Sequence, residues 1–293
     1  MDFIKHVFYG VAIGISNVIP GLSGGTTAVI LNIYDRLIGS ISNLRKEPKK
    51  SLVFLLPLVL GAGLAILACS NLITYLLERH YMLINFFFIG IIFGSIPMIW
   101  KRATKDSFKP WHLIPCAVTF AIMIVTVVGP FAPETETVIT SVTPWVFIQM
   151  FFCSALAAVC MIIPGISGSF VMLLFGVYTT VMTAISSFDA FLLLPIALGA
   201  GAGILFGAKI IDFFLRRYPQ ATYFSILGFV LGSGPVLFGK ILATNNFRTG
   251  LPLAASIAVL IVGIVIVLVF DSKWLREKLK GRTGKKLTNS ENV

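Results

Sequence analysis

Charge and histidine are scarce in this chain of 293 residues. Only 12% of its residues are charged and only three are histidines, whereas soluble domains carry about 25% charged residues. Because 57% of the residues are apolar, this scarcity excludes a soluble domain of useful size and indicates a chain that lies in a lipid bilayer. The four cysteines stand in apolar stretches without CxxC spacing, which is typical of small buried side chains. We therefore predict an integral membrane protein with no metal and no cofactor.

Basic residues outnumber acidic ones and give a net charge of +11, but their positions argue against nucleic acid as a partner. They cluster in the short loops 43–51 and 101–109 and in the segment 271–293. The positive-inside rule predicts this distribution for the cytoplasmic parts of a membrane protein. We therefore expect membrane lipids as partners and expect both termini in the cytoplasm. Self-association into a homo-oligomer is left open.

A seven-residue motif occurs twice in the chain. Ile-Pro-Gly-Leu-Ser-Gly-Gly at residues 19–25 returns as Ile-Pro-Gly-Ile-Ser-Gly-Ser at residues 163–169. Each copy interrupts an apolar, helix-like stretch, and such a break at membrane depth is tolerated only where the backbone is buried in protein or lines a cavity. Two matched breaks in the two halves of a chain point to the binding site of a transporter.

The repeat extends well beyond the motif. Tyr34 matches Tyr178 at the same separation of 144 residues, and segment 57–63 matches segment 195–201 in five of seven residues at a separation of 138. Further pairs at the second separation are Arg79 with Arg217, Gly90 with Gly228, Gly94 with Gly232, and Pro97 with Pro235. Chance similarity between apolar segments does not keep glycine and proline in register over successive segments, so the chain is a duplication.

Each half is predicted to contain one broken segment and three apolar segments that reach the length of about 20 residues needed to span a membrane. The first half, 1–130, has a broken segment at about 7–42 and spans at about 52–77, 83–100 and 111–130. A loop at 131–144 precedes the second half, 145–270, with a broken segment at about 145–187, spans at about 192–215, 222–243 and 251–270, and a basic tail at 271–293.

Loop charge decides whether a broken segment is a re-entrant hairpin or one interrupted passage. If the first one enters and leaves on the same side, the basic loops 43–51 and 101–109 both face the cytoplasm and the acidic loop 131–144 faces outside. A hairpin plus three spans is an odd number of crossings, so the second half is then inserted upside down. The predicted fold class is an all-α integral membrane protein of two inverted-topology repeats, each a re-entrant helical hairpin plus three transmembrane helices.

The residue types of the two motifs favour anion binding. A helix that begins after the break has N–H groups without intrahelical partners and a partial positive charge, glycines let an anion approach, and hydroxyls add donors. The candidate substrate-binding residues are Asn17, Pro20, Gly21, Ser23, Gly24, Gly25 and Thr26 in the first half, and Pro164, Gly165, Ser167, Gly168 and Ser169 in the second. The residue types leave one alternative open, which is that the glycines only allow tight helix packing.

Two basic residues are candidate counter-charges for the anion, Arg36 and Lys209. Charge inside a membrane is a functional hypothesis by default, although long basic side chains also reach the interface by snorkelling. Lys209 and Asp212 stand three residues apart, so they share a helix face and are placed to pair.

The doubled motif, with Tyr34-Asp-Arg36 after the first copy and Tyr178 after the second, resembles the PopT family, formerly known only as a domain of unknown function. The resemblance covers nearly the whole chain. It implies a transporter that moves undecaprenyl phosphate or a related polyprenyl phosphate across the bacterial cytoplasmic membrane, so that the spent lipid carrier returns to cell-envelope synthesis. The implied partner is thus a polyprenyl phosphate lipid.

Three alternatives remain from the residues themselves. Inverted repeats with broken helices also carry small anions and ions. A lipid phosphatase of the bilayer would need a nucleophile and an acid–base group, but the three histidines lie outside the motifs and no carboxylate pair lies beside them, so no catalytic residue is predicted. A scaffold protein gives no reason for two polar breaks at matched positions.

Overall fold

The computed structural model describes residues 2–18, 23–105, 108–128, 139 and 143–269, and all regular structure in these ranges is helical. The helices are α1 Asp2–Val18, α2 Gly24–Ile30, α3 Tyr34–Ser42, α4 Pro48–Ala103, α5 Leu113–Val128, α6 Pro144–Ile162, α7 Gly168–Leu174, α8 Tyr178–Ser186, α9 Ala190–Arg217, α10 Pro219–Ala243 and α11 Leu251–Val269. The predictions for Pro20, Gly21, most of the loop 131–144 and the tail 271–293 lie outside the described residues.

Six helical segments in the described ranges are long and apolar enough to cross a membrane. They are Pro48–Cys69, Tyr75–Ala103, Pro144–Ile162, Ala190–Arg217, Pro219–Ala243 and Leu251–Val269. The predicted span at 111–130 corresponds to the shorter apolar helix α5 and the 3₁₀ turn Pro110–His112 before it. The prediction of an all-α multi-pass membrane protein is confirmed.

The helix boundaries repeat at the separations seen in the sequence. Helices α2 and α7 begin and end 144 residues apart, and so do α3 and α8. Helix α4 turns at His80 (φ −133°, ψ 41°), and Tyr218, 138 residues later, separates α9 from α10 with φ −135° and ψ 57°. The first arm of α4 (48–79) therefore corresponds to α9, and its second arm (81–103) corresponds to α10.

Glycines bring the first helix of each half against its long neighbour. A Cβ on Gly61 would collide with the Val7 carbonyl oxygen of α1, and a Cβ on Gly199 would collide with the Phe151 carbonyl oxygen of α6. Since 7 and 151 are 144 apart and 61 and 199 are 138 apart, the two contacts are equivalent. Only glycine allows this backbone approach, which explains why these glycines recur.

The last helix of each half packs against the other half. Helix α5 packs on α10, where Gly228 meets Cys116 and Gly232 meets Met123. Helix α11 packs on the second arm of α4, where Gly90 meets Leu260. Along α5 and α10 the contacting residue numbers rise together, so these two helices run in the same direction.

The two broken segments belong to different packing clusters. The main cluster contains Val29, Tyr34 and Ile38 of the first broken segment together with Phe224 and Leu227 of α10. A smaller cluster joins the second broken segment to α6 and α9, through Met150, Val177, Val181, Ala184, Leu192 and Ile196. The first broken segment is thus packed into a core that both halves share, whereas helix α8 of the second is packed against α6 and α9 of its own half.

Candidate functional site at the junction of the two motifs

The described part of the first motif, residues 23–25, is capped by nearby side chains. Ser23 is the N-cap of α2, and its Oγ accepts a hydrogen bond from the Thr26 amide at 3.2 Å. The Gly24 amide donates to Asn17 Oδ1 at 3.0 Å. Residues 24–29 of α2 are all buried. Asn17 is therefore a cap for freed backbone amides, one of the roles expected for a polar residue before a break.

The first motif also binds the second motif directly. The Gly165 amide donates to Thr26 Oγ1 at 2.9 Å and to Ser23 Oγ at 3.2 Å, and both hydroxyl residues are only 2% exposed. Gly165 has φ +91°, and a Cβ there would lie 2.6 Å from the carbonyl carbon of Phe229. Gly165 is 142 residues from Ser23 and 139 residues from Thr26 in sequence, so these hydrogen bonds join the two breaks. The contact requires glycine at position 165.

The second motif keeps its hydroxyls outward. Ser167 Oγ and Ser169 Oγ lie 2.7 Å apart at the start of α7, on an exposed surface. Asn17, the acceptor for the Gly24 amide, corresponds at a separation of 144 to Met161, which has no such acceptor. Thr26 likewise corresponds to Phe170. Because the first amides of a helix lack intrahelical carbonyl partners, the start of α7 is a place where amides and the Ser167 and Ser169 hydroxyls can act as donors.

The two candidate counter-charges contact residues outside the motifs. The Arg36 guanidinium lies 4.3 Å from the Phe54 ring centre of α4 and 3.4 Å from His6 Nε2 of α1. Lys209 is exposed, with Nζ 5.8 Å from the Phe206 ring centre. The pairing of Lys209 with Asp212 was wrong, because Asp212 Oδ1 binds Arg216 Nε at 3.0 Å. Arg216 stands four residues after Asp212, and side chains four residues apart are neighbours on a helix face, so the guanidinium reaches the carboxylate.

An inter-half network was missed by the sequence analysis. Tyr223 of α10 donates its hydroxyl to Asp35 Oδ1 at 2.5 Å, and Arg102 donates to the Tyr223 hydroxyl at 3.0 Å. Arg102 also lies 3.8 Å from Asp35 Oδ2. We call these three residues the latch, since they tie α3 to the end of α4 and to the start of α10. Partners 121 and 188 residues apart leave no local signal.

Alignment of the halves shows that the latch exists on one side only. Asp35 corresponds to Thr179, Tyr223 to Asn85, and Arg102 to Lys240, at separations of 144, 138 and 138. Thr179 and Asn85 are uncharged, so neither can form an ion pair with Lys240. Asn85 donates instead to the Tyr81 carbonyl of its own helix at 2.8 Å. This asymmetry is the signal in the sequence that could have pointed to the latch.

Within the described ranges, no group of three or more histidine, cysteine or acidic side chains is close enough to hold a metal ion.

Two broken helix pairs, placed at matched positions of a duplicated multi-pass membrane chain and in direct contact, define the broken-helix class of membrane transporters. Comparison with known proteins then gives the particular family. The chain belongs to the VCA0040-like family, described as undecaprenyl phosphate translocase-like, whose model matches residues 13–249. The resemblance drawn from the motifs is confirmed.

Two curated relatives cover most of the chain. A polyprenyl-phosphate transporter of Staphylococcus aureus (strain NCTC 8325 / PS 47) is 38% identical over 275 residues, which is 90% of this chain and 94% of the relative. A polyprenyl-phosphate transporter of Vibrio cholerae serotype O1 (strain ATCC 39315 / El Tor Inaba N16961) is 31% identical over 252 residues, which is 81% of this chain and 78% of the relative. No solved structure matches the chain.

Proposed function

We propose that this protein is a transporter, not an enzyme, that moves a polyprenyl phosphate such as undecaprenyl phosphate across the bacterial cytoplasmic membrane. Both curated relatives carry the name of that transport activity. The observation that carries the proposal is the outward-facing pair of hydroxyls, Ser167 and Ser169, at the first turn of α7. The returned lipid would supply cell-envelope synthesis.

The phosphate headgroup binds at the second motif. Helix α7 has only seven residues, so its dipole contributes little and the donors are the Ser167 and Ser169 hydroxyls and the amides of Gly168 and Ser169. Hydrogen bonds to a charged group contribute about 1.5–3 kcal/mol each, which is enough for a phosphomonoester without a basic side chain. The first motif holds the second in position through Gly165 and does not itself contact the phosphate.

The two halves lie in the membrane in opposite orientations. The second arm of α4 and α5 are consecutive spans joined by a short loop, so they run in opposite directions. Helix α10 runs in the direction of α5, as their contacts at Gly228 and Gly232 indicate. Helix α10 therefore runs opposite to its counterpart, the second arm of α4. With the basic loops in the cytoplasm, both termini are cytoplasmic and the first motif enters from the cytoplasm.

Transport proceeds by alternating access. The latch and the packing of α3 along α9 close the cytoplasmic side. Helix α8 packs on α6 and α9 in a small cluster, and its movement changes access to the second motif while Ile162 of α6 stays in the shared core. Movement of one packed body against another around a fixed site is the general mechanism for inverted-repeat transporters.

A flipping assay tests the proposal. Labelled undecaprenyl phosphate is reconstituted with the protein in liposomes, and the label in the outer leaflet is followed with an impermeant quencher. We expect the wild type to move the lipid and Ser167→Ala with Ser169→Ala to move it at least about tenfold more slowly, since two charge-assisted hydrogen bonds are lost. Ser187→Ala, which removes an exposed hydroxyl bonded only to the Thr183 carbonyl, is the matched control.

Unchanged flipping by the double variant would exclude the second motif as the headgroup site. Release of inorganic phosphate from the lipid by the wild type would instead support a phosphatase, and flipping of small anions but not of the lipid would support an ion transporter.

A further inference from the structure

We propose that a groove between α9 and α10 binds the first isoprene units of the transported lipid, next to its phosphate. This inference rests on the proposed function and names a second part of the same site. The groove has a volume of about 320 Å³ and almost wholly apolar walls, which include Tyr34, Ile163, Ile211, Phe214 and Ser225. It follows the inner side of the corner at Tyr218, where α9 and α10 diverge.

The inner end of the groove is the junction of the two motifs. Ile163 lines the groove, and its carbonyl oxygen accepts a hydrogen bond from Ser23 Oγ at 3.4 Å. Phe229 also lines the groove, and its backbone is in contact with Gly165. The apolar cavity therefore ends in the same short loop whose next residues, Ser167 to Ser169, present the anion donors. A ligand that fills the groove and also reaches these donors has an anionic head joined directly to an apolar chain.

The outer end of the groove opens where a membrane would supply lipid. Phe214 and Tyr218 on its rim are 46% and 51% exposed. Binding pockets for small molecules have volumes of about 300–1,000 Å³, so a groove of about 320 Å³ holds only the part of a long chain nearest the headgroup. The remainder stays in the bilayer, which lets one site accept a chain much longer than itself.

Small side chains line part of the groove at positions where the other half of the molecule carries larger ones. Ala221 and Ser225 line it, whereas the residues 138 positions earlier, on the second arm of α4, are Leu83 and Phe87. Ile226 in the wall likewise corresponds to Phe88, whose ring centre lies 5.7 Å from that of Phe87. The duplication thus carries bulky residues in one half and a cavity in the other.

The test transfers the bulky residues into the groove with Ala221→Leu and Ser225→Phe, both tolerated at the matched positions of α4. We expect flipping of undecaprenyl phosphate to fall more than tenfold, because several buried methylene groups lose their site. Binding of methyl phosphate, which has the headgroup but no isoprene unit, should change less than twofold in titrations. Ile210→Phe adds bulk on an exposed position of α9 that does not line the groove and should leave flipping unchanged.

If the variant with Ala221→Leu and Ser225→Phe, here called the filled variant, does not fold, a crosslinking measurement tests the groove instead. An undecaprenyl phosphate with a photoreactive group on its first isoprene unit should label the wild type at Ile163 or Phe229, at the inner end of the groove. Full flipping by a folded filled variant, or equal labelling by a photoreactive phospholipid acyl chain, would overturn the groove as an isoprenoid site. If the wild type moves no polyprenyl phosphate at all, the proposed function fails separately, and absence of isoprenoid labelling in the groove then overturns this inference as well.

Discussion

The two copies of the motif start from nearly the same residues but have different surroundings. In the first copy Ser23 and Thr26 are 2% exposed and bind the Gly165 amide. In the second copy Ser167 and Ser169 face outward and bind each other. The first copy is thus a structural joint between the halves. The prediction that both copies bind the ligand stays a prediction, and the proposed function assigns the headgroup to the second copy.

Two substitutions between the copies account for most of this difference. Asn17, which caps the Gly24 amide, has Met161 as its counterpart, and Thr26 has Phe170 as its counterpart. The first copy thus contains an extra acceptor for its own amide and an extra hydroxyl for the opposite motif. The second copy contains neither, and the proposed function assigns its donors to the ligand.

Gly165→Ala should have the largest effect, because it breaks the contact between the copies. The substitution places a Cβ 2.6 Å from the Phe229 backbone at φ +91°. Left-handed backbone costs about 1–2 kcal/mol per residue, and overpacking adds about 1–3 kcal/mol. Thermal unfolding in detergent should show this loss. Gly201→Ala is the control, since a Cβ there meets nothing within 4 Å, and it should be neutral or slightly stabilising. Equal melting of the two variants would contradict the contact.

Ser23→Ala with Thr26→Val comes next. Both acceptors of the buried Gly165 amide are lost, and an unpaired buried donor costs about 1–3 kcal/mol. The free energy of unfolding should fall by that amount. The hydroxyl pair of the second copy is the comparison: Ser167→Ala with Ser169→Ala removes hydroxyls on an exposed surface and should change stability by less than about 0.5 kcal/mol. A larger loss in the second pair than in the first would reverse the proposed roles of the two copies.

Asp35→Asn should have a moderate effect on the equilibrium between closed and open forms, since it removes the charge from the latch but keeps a side chain of similar size. Asp35 is 61% exposed, so loss of its charge costs only about 0.5–1 kcal/mol, which is a two- to fivefold shift between closed and open forms. The measurement uses a chain whose native cysteines are replaced by alanine and in which Ser40 of α3 is replaced by cysteine. A maleimide should label this cysteine about two to five times faster with Asp35→Asn than with Asp35 in place. Thr179→Ala, at the matched position, should not change the rate at Ser40. An unchanged rate in Asp35→Asn would show that the latch does not close this side.

Lys209→Ala should have the smallest effect. The Lys209 side chain is exposed and contacts Phe206 on its own helix, so flipping should stay within about twofold of the wild type. A loss of tenfold or more would restore Lys209 as the counter-charge of the phosphate, as the sequence first suggested.

The fold and the site differ in how far the sequence predicts them. Periodic apolar segments and the separations of 144 and 138 residues determine helix number, helix equivalence and the glycine contacts, because each of these depends on local pattern or simple repetition. The partners of Asp35 and Gly165 depend on which faces meet across the two halves. A single chain gives no local signal for such contacts, and Lys209 was misjudged because proximity in sequence was taken for contact.

The equilibrium affinity of a polyprenyl phosphate for the purified protein tests the central claim most directly. For Ser167→Ala with Ser169→Ala, we predict a dissociation constant at least about tenfold weaker than that of the wild type, since each charge-assisted hydrogen bond contributes about 1.5–3 kcal/mol. For the folded fraction of Ser23→Ala with Thr26→Val, we predict the wild-type value within about twofold. Weaker binding in the first-motif pair with full binding in the second-motif pair would contradict the account.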